Sequence, residues 1–234
     1  MQHRSTTSDA RESILQSIRA NLAASAPHDA IEHEIHHGAD KLPPAAPSSV
    51  SDLSLVELFK TSLEGVDGHC IVVRDESEVA STLRDILKRL QDTRLQARRI
   101  AISDSAGIAD LLTRSGCEFD EVSVTPSAKD VFRFDVGISR AQACIAETGT
   151  LLLDSSRERN RLVSLVPPVH IALVNASQIV GTLGEALSLL RQTEQVSAIV
   201  TLVTGPSRTA DIELTLAIGV HGPQELYVVV NEGA

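Results

Sequence analysis

Apolar residues recur along the chain at two spacings, one typical of amphipathic helices and one typical of buried strands. The first helical pattern predicts a helix over residues 9–24. Asp9 can begin this helix, because Glu12 lies three residues later at the spacing of a capping box. Four apolar side chains then share one helix face: Ile14, Leu15, Ile18 and Leu22. We expect this face to pack against the main domain or another subunit.

A polar segment without apolar periodicity follows over residues 25–49. Four prolines interrupt it: Pro27, Pro43, Pro44 and Pro47. Three histidines lie in the same segment: His33, His36 and His37. Imidazole is a common metal ligand, but histidines on a polar, proline-rich segment are usually solvated. We therefore predict no metal site in this segment.

From residue 52 onward, short apolar runs alternate with helical patterns. Strands are predicted over residues 69–73, 99–103, 121–125, 143–146, 150–153, 169–175, 198–204 and 226–230. Helices are predicted over residues 52–63, 77–90, 104–112, 181–192 and 207–218. Such alternation favours a three-layer α/β fold with a mostly parallel sheet between helices. The predicted organisation is an N-terminal helical arm and Pro-rich linker over residues 1–50, and a single α/β domain over residues 51–234.

Composition narrows the range of partners. Aromatic residues make up 2% of the chain and the formal net charge is −10, which disfavours binding to nucleic acid or to anionic lipid. Cys70, Cys117 and Cys144 form no C-x-x-C pair, so an iron–sulfur cluster within this chain is not expected. Sparse cysteines and the lack of a signal-peptide core or membrane-length apolar run predict a cytoplasmic protein.

The most suggestive polar motif follows the predicted strand over residues 198–204. Its anion-binding candidates are Gly205, Ser207, Arg208, Thr209, Asp211 and Glu213. If a helix begins at Ser207, its free amides and dipole favour an anion, and Arg208 can add a bidentate contact to a carboxylate or phosphate. In the alternative interpretation Ser207 only caps the helix, and Arg208 pairs with Asp211 or Glu213.

A second motif is Ala-Glu-Thr-Gly-Thr over residues 146–150. A glutamate inside an apolar strand region is costly unless it is paired, so Glu147 is a candidate general base or nucleophile. Its neighbours are candidate binding residues for a small anion: Thr148, Gly149 and Thr150. The alternative is a structural carboxylate that Arg161 or Arg208 holds.

The third motif, Pro-Pro-Val-His, opens the predicted strand over residues 169–175. His170 can transfer protons near neutral pH, although a histidine at a strand start is often only a hydrogen-bonded structural residue. Arg161 precedes an apolar run and is expected to face inward. His221 stands before a glycine that can end the last predicted helix, and it either lines the same edge or interacts with the helix terminus.

This chain resembles the lactate-utilisation domain family in four motifs, which occur along the chain in the order Ala-Glu-Thr-Gly-Thr, Pro-Pro-Val-His, the motif over residues 205–213 and Gly-Val-His-Gly-Pro over residues 219–223. The resemblance is dense from about Asp135 onward, and the opening helix is also similar. It implies a fold similar to that of the glucosamine-phosphate isomerase, ribose-phosphate isomerase and CoA-transferase group. It also implies Glu147 and His170 as catalytic residues.

The resemblance further implies a role in the oxidation of L-lactate to pyruvate. The chain is then expected to be a non-redox subunit that binds a small carboxylate, such as lactate or pyruvate, or assembles the complex. Iron–sulfur clusters would reside on partner proteins, and this chain is expected to bind no cofactor. Two alternatives stay open: an independent enzyme for acyl-CoA or phosphosugar substrates, and a scaffold that docks a partner through its N-terminal helix.

Overall fold

The computed structural model describes residues 6–24, 54–156, 161–191, 199–210, 216–218 and 222–233. The chain divides into two compact units, Met1–Ser51 and Asp52–Ala234. In the first unit, helix α1 (Thr6–Ala24) begins slightly before the predicted start, and its Ile14 and Ile18 side chains are exposed. The segment over residues 25–49, with His33, His36 and His37, lies outside the described residues.

The second unit alternates helices and strands. Its described helices are α2 (Leu55–Glu64), α3 (Glu76–Gln91), α4 (Ile108–Ser115), α5 (Leu162–Leu165) and α6 (Leu183–Arg191). Its described strands are β1 (His69–Val73), β2 (Arg99–Ile102), β3 (Glu121–Val124), β4 (Val136–Arg140), β5 (Ala143–Ile145), β6 (Thr150–Asp154), β7 (Val169–Asn175), β8 (Ile179–Val180), β9 (Val200–Val203), β10 (Arg208–Ala210), β11 (Leu216–Ile218) and β12 (Glu225–Asn231).

Six strands form the main sheet, in the order β1-β12-β7-β4-β2-β3. Every neighbouring pair in this sheet is parallel. The last strand along the chain, β12, therefore lies inside the sheet between β1 and β7. The predicted α/β class with a mostly parallel sheet is confirmed.

Alternate residues of the main sheet enter two different hydrophobic cores, as expected for a strand buried on both faces. On β12, Tyr227 and Val229 pack toward α3 and α4, whereas Val228 and Val230 pack toward α2 and a second sheet. The main sheet thus lies between a helical layer and a mixed layer.

Local sequence explains where the helices of the second unit begin. Ser54 caps α2 in a capping box with Glu57. The cap of α3 is Asp75, whose carboxylate accepts the backbone N–H groups of Ser77 and Glu78, so the predicted cap at Ser77 is wrong by two residues. Helix α4 begins after Gly107, whose φ of 83° lies in the left-handed region that favours glycine.

The second sheet departs from the predicted parallel rhythm. Its order is β8-β5-β6-β9, and β6 is antiparallel to both of its neighbours. Strands β5 and β6 are joined by the turn that carries Glu147, Thr148 and Gly149. The predicted strands over residues 143–146 and 150–153 therefore exist, but they form a hairpin outside the main sheet.

The structure also differs from the sequence prediction at β4 and over the predicted helix at residues 207–218. The central strand β4 was missed, because Gly137 and Ser139 interrupt its apolar pattern. The helix predicted over residues 207–218 is wrong: β10 and β11 pair there as antiparallel strands, with Arg208 opposite Ile218. The β-branched residues Thr209 and Ile218 favour an extended chain, and cross-strand pairing satisfies its backbone groups.

Candidate functional site

The His170 side chain lies at the amino end of β7 and is fully buried. Its Nε2 atom is 2.9 Å from the hydroxyl oxygen of Ser139 on the adjacent strand β4. Within the described part of the chain, the Nδ1 atom has no hydrogen-bond partner. A buried polar atom without a partner is costly, and such atoms often mark a functional position.

Burial lowers the pKa of His170 from its ordinary value of 6.5 to about 4, because the desolvated imidazolium is unfavourable. The imidazole is therefore neutral at physiological pH and carries one N–H group. Depending on which way the hydrogen bond with Ser139 runs, Nδ1 is an acceptor or a donor. Either form can bind or exchange a proton with a small polar ligand.

A cavity of about 230 Å³ lies beside this imidazole. The His170 cavity is formed by residues from separate parts of the chain: His170, Ser164, Thr204, Gly205, Ser207 and Gly222. The structure thus brings together three sequence-predicted site residues, His170, Gly205 and Ser207. It places His170 at the amino end of β7, whereas Gly205 and Ser207 follow the carboxyl end of β9.

Gly205 and Ser207 shape the cavity wall through contacts with protein. Gly205 has φ 78°, and a Cβ atom there would lie 2.6 Å from the carbonyl oxygen of Val66. The glycine therefore permits close approach to the chain after α2. The backbone N–H of Ser207 donates to the carbonyl of Pro223 at 2.8 Å. Since no helix begins at Ser207, the predicted row of free helix amides is absent from the described residues.

Arg208 has a partner that the sequence did not suggest. Its guanidinium donates to the carbonyl oxygen of Val66 at 3.1 Å and pairs with the Asp67 carboxylate. Asp211 and Glu213, the alternative partners, lie outside the described residues, as does His221. Of Thr209, only the backbone in β10 is described. A contact between Arg208 and a bound anion stays a prediction.

Glu147 is exposed in the turn between β5 and β6, so it is not the carboxylate in an apolar strand that the sequence indicated. Its Oε1 atom accepts the backbone N–H of Leu183 at 3.4 Å, at the start of α6. A carboxylate at a helix N-terminus is stabilised by the helix dipole. This geometry fits a helix-capping role and not a buried base.

The rest of the second motif joins this turn to the His170 cavity. The hydroxyls of Thr148 and Thr150 are 2.7 Å apart, and Thr150 is again 2.7 Å from the hydroxyl of Thr204 at the cavity. Gly149 has φ 64°, and a Cβ atom there would lie 2.3 Å from the backbone nitrogen of Leu63. Gly149, like Gly205, thus permits packing against the end of α2.

Arg161 is exposed and precedes α5, so the expectation that it faces inward is wrong. Its carbonyl oxygen accepts the hydroxyl of Ser164 at 2.8 Å. A four-residue helix leaves most of its backbone groups to be satisfied from outside, and Ser164 supplies one such bond. In the structure, Arg161 therefore contributes through its backbone carbonyl group.

A second group of polar residues was missed by the sequence prediction. Arg140 ends β4, Asn175 ends β7 and Asn231 ends β12, and these three strands are neighbours in the main sheet. They line a cavity of about 280 Å³, here named the carboxyl-edge cavity, together with Glu76 at the start of α3. A polar residue at the end of each apolar run was the signal in the sequence.

The described residues contain no group of three or more His, Cys, Asp or Glu side chains that could hold a metal ion. Among the helices within the described ranges, none is long and apolar enough to cross a membrane.

The chain is similar to known proteins in both structure and sequence. A crystal structure of a DUF162 family protein from Deinococcus radiodurans matches with a TM-score of 0.52 and 25% identity, and it covers 76% of this chain and 98% of that one. The chain is 37% identical over 159 residues to an uncharacterized protein of Neisseria meningitidis, which covers 68% of this chain and 65% of the relative.

Two further relatives are each named Lactate utilization protein C. The Bacillus subtilis protein is 33% identical over 183 residues, covering 70% of this chain and 76% of that protein. The Bacillus licheniformis protein is 34% identical over 120 residues, covering 49% of this chain and 50% of that protein. The chain thus spans less than two thirds of the Neisseria and Bacillus licheniformis relatives. Since residues 56–230 match the LUD domain model, the chain belongs to the LUD domain family.

Proposed function

We propose that this protein acts in lactate utilisation as a subunit without a redox centre. It binds a small carboxylate such as lactate or pyruvate and works with iron–sulfur partner proteins. The observation that carries the proposal is the buried, neutral imidazole of His170 beside a small cavity, in a chain similar to Lactate utilization protein C over 70% of its length. The proposal includes a cytoplasmic location, which the free thiols of Cys70, Cys117 and Cys144 favour.

The size of the His170 cavity supports a small ligand. Its volume of about 230 Å³ lies below the range of roughly 300–1,000 Å³ that is typical of pockets for drug-sized molecules. Gly222 keeps the cavity open beside Ser207, since a Cβ atom at Gly222 would lie 3.2 Å from the Ser207 hydroxyl oxygen. The hydroxyls of Ser207 and Thr204 are suited to hydrogen-bond a carboxylate.

In this proposal, Nδ1 of His170 accepts the hydroxyl proton as the C=O bond of the product forms, and the partner proteins take up the C2 hydrogen together with its two electrons. A base with a pKa of about 4 is weak in the empty cavity. A carboxylate bound next to the imidazole favours the imidazolium and raises this pKa, so substrate binding itself strengthens the base. For Nδ1 to accept this proton, Nε2–H must donate to the Ser139 hydroxyl oxygen, and this bond holds the ring in place during the transfer.

Lactate-dependent dye reduction by the reconstituted system tests the proposal. The iron–sulfur partners are assayed alone, with this chain, with His170→Gln, and with His69→Gln as the matched control, because His69 is exposed. We expect the chain and the control to raise the rate, and His170→Gln to lose roughly 100-fold or more of that gain, the usual range for a general base. Equal turnover by the partners alone contradicts the proposal, provided that circular dichroism shows a folded chain.

Exposed apolar residues on α1 favour a second candidate function, the assembly of a complex. Ile14 and Ile18 are 60% and 50% exposed and lie one helical turn apart. Such a pair is suited to the groove of a partner. Deletion of the residues before Pro27 should then abolish association with the partner proteins in size-exclusion chromatography. Unchanged association of the deleted chain rejects this role.

A further inference from the structure

The carboxyl-edge cavity lies at the opposite end of the main sheet from His170. Parallel strands β4, β7 and β12 all end there, and Asn175 and Asn231 are direct partners in the strand register. Arg140 lies two register positions further back, since its register partner is Leu173. In open parallel sheets, ligands bind outside the carboxyl ends of the strands. This cavity therefore occupies the position where the fold itself favours a ligand.

The polar side chains of the cavity are held in place by the backbone. The Nε atom of Arg140 donates to the carbonyl oxygen of Ala106 at 3.2 Å. The Asn231 carboxamide oxygen accepts the backbone N–H of Gly233 at 3.0 Å. At Asn175, the backbone N–H donates to the Gln178 side-chain oxygen at 2.8 Å, which fixes the backbone at this position. Side chains that are fixed before binding lose little entropy when a ligand arrives.

The chemistry of the lining is mixed rather than uniformly charged. Arg140 supplies a guanidinium, Glu76 supplies a carboxylate, and Asn175 and Asn231 supply carboxamides. An oxyanion suits the guanidinium, while a hydroxyl or ammonium group suits the carboxylate. The apolar floor suits a short carbon skeleton and consists of Val79, Leu111, Leu173 and Val229.

We infer that the carboxyl-edge cavity is a second ligand site, which binds a small carboxylate or phosphate that also carries a hydrogen-bond donor. Arg140 binds the oxyanion, the two asparagines bind its remaining oxygens, and Glu76 accepts from the donor group. The cavity volume of about 280 Å³ limits the ligand to a small metabolite. This site is independent of the His170 cavity, so either can exist without the other.

Methyl NMR of the full chain tests the inference, because each cavity contains its own reporters. Val79, Leu111, Leu173 and Val229 report on the carboxyl-edge cavity, and Leu165, Leu202, Val203 and Leu226 report on the His170 cavity. The probes are L-lactate, L-alanine, propionate and inorganic phosphate. The first three share a three-carbon carboxylate and differ in the hydroxyl, ammonium or hydrogen at the second carbon.

We expect saturable shifts of the first reporter set, with L-lactate or L-alanine binding at least tenfold more tightly than propionate. Tighter binding of L-lactate identifies a hydroxyl donor, and tighter binding of L-alanine identifies an ammonium donor. If phosphate alone binds, the oxyanion is a phosphate and the part of the inference about carboxylates is overturned. If none of the four probes shifts the first set, the whole site is overturned, whatever the second set shows.

Variants of Arg140 and Glu76 test the roles of these two charged groups separately. Arg140→Gln should weaken binding of every probe at least tenfold, whereas Lys88→Gln, an exposed cation on α3 outside the lining, should change it less than twofold. Glu76→Gln guards against a folding defect at Arg140, because Glu76 lies at the first position of α3 with a 61% exposed side chain. Glu76→Gln should reduce the preference in binding for the donor-bearing probe over propionate to less than twofold. An unchanged preference in Glu76→Gln rejects the assigned role of this carboxylate.

Discussion

The Nε2 atom of His170 lies 2.9 Å from the hydroxyl oxygen of Ser139, and both side chains are buried on neighbouring strands of the main sheet. Gly137 is the register partner of His170, and a Cβ atom at Gly137 would overlap the carbonyl oxygen of Val163 at 1.7 Å. The chain thus packs α5 closely over β4, next to the imidazole. This packing removes water from the ring and lowers its pKa.

The buried imidazole predicts a pH-dependent stability. The unfolded chain binds a proton on His170 below about pH 6.5, whereas the folded chain binds it only near pH 4, so acid favours the unfolded state in this window. The neutral His170 therefore makes its full contribution to the free energy of unfolding above pH 6.5, and this contribution is lost as the pH falls toward 4. The shift corresponds to on the order of 3 kcal/mol in the free energy of unfolding.

Urea unfolding of the wild-type chain and of His170→Gln between pH 7.5 and pH 4 measures this contribution. The difference in the free energy of unfolding between the two proteins should change between pH 6.5 and pH 4, because the glutamine does not titrate. His69→Gln is the control, because it removes an imidazole that is exposed and not enclosed. A difference that is constant with pH refutes the assignment of a neutral, buried imidazole.

Gly149 should be intolerant of a side chain for steric reasons. In Gly149→Ala, the new Cβ atom would lie 2.3 Å from the Leu63 backbone nitrogen, in addition to the strain of a φ of 64°. We expect a loss of about 3 kcal/mol in the free energy of unfolding. Gly116→Ala separates the two effects, because Gly116 has φ 67° but no atom within 4 Å of the added carbon.

Gly116→Ala should lower the free energy of unfolding by only about 1 kcal/mol, which is the effect of the backbone strain alone. Chemical denaturation of both variants measures the comparison. Equal losses would mean that the close approach to α2 contributes nothing, and that Gly149 is required only for its backbone conformation.

Asp135 joins the starts of β2 and β4. Its Oδ2 atom accepts the backbone N–H groups of Arg98 and Arg99 at 3.0 and 2.9 Å, and its Oδ1 atom pairs with the Arg99 guanidinium at 3.0 Å. Because Asp135→Ala leaves two backbone donors without their acceptor, we expect it to lower the free energy of unfolding by about 3 kcal/mol. Thermal unfolding followed by circular dichroism measures the loss.

The matched control is Asp120→Ala. The Asp120 carboxylate pairs with Arg98 at 3.9 Å, and both side chains are more than half exposed. An exposed ion pair contributes less than about 1 kcal/mol. If the two variants were equally stable, the backbone bonds to Asp135 would not be the source of its contribution.

The three cysteines should differ in reactivity. Cys70 and Cys144 are buried, and burial raises the pKa of the Cys70 thiol to about 12 and also raises the pKa of the Cys144 thiol. The reactive thiolate is therefore scarce at both positions. Cys117 is only half-buried. In the native state, we expect an aromatic disulfide reagent to modify Cys117 rapidly and the other two only after unfolding.

Counting of released thiolate by absorbance, in buffer and in denaturant, checks this order. The variant Cys117→Ser should show no fast phase in the native state and two reactive thiols in denaturant. A fast phase that survives in Cys117→Ser would show that the core around Cys70 or Cys144 opens readily.

Local patterns in the sequence were sufficient for the bounds of two strands of the main sheet. The apolar runs over residues 69–73 and 169–175 have the bounds of β1 and β7 as predicted. Strand β7 is buried on both faces and its run is almost continuously apolar, so its limits can be read without knowledge of its neighbours. The motifs with His170, Gly205 and Ser207 were likewise identified, although not the cavity that they share.

Tertiary structure alone decided which segments pair and which side chains meet. The segment over residues 207–218 has apolar residues compatible with a helix, but residues 208–210 and 216–218 are extended because β10 pairs with β11. Arg208 pairs with Asp67. These two residues are far apart along the chain, so their spacing in the sequence could not predict the pair. Glu147 is exposed because β5 turns back into β6 rather than entering the main sheet. Periodicity describes contacts within one element, whereas strand register and ion pairs depend on how distant elements pack, and only the folded chain determines them.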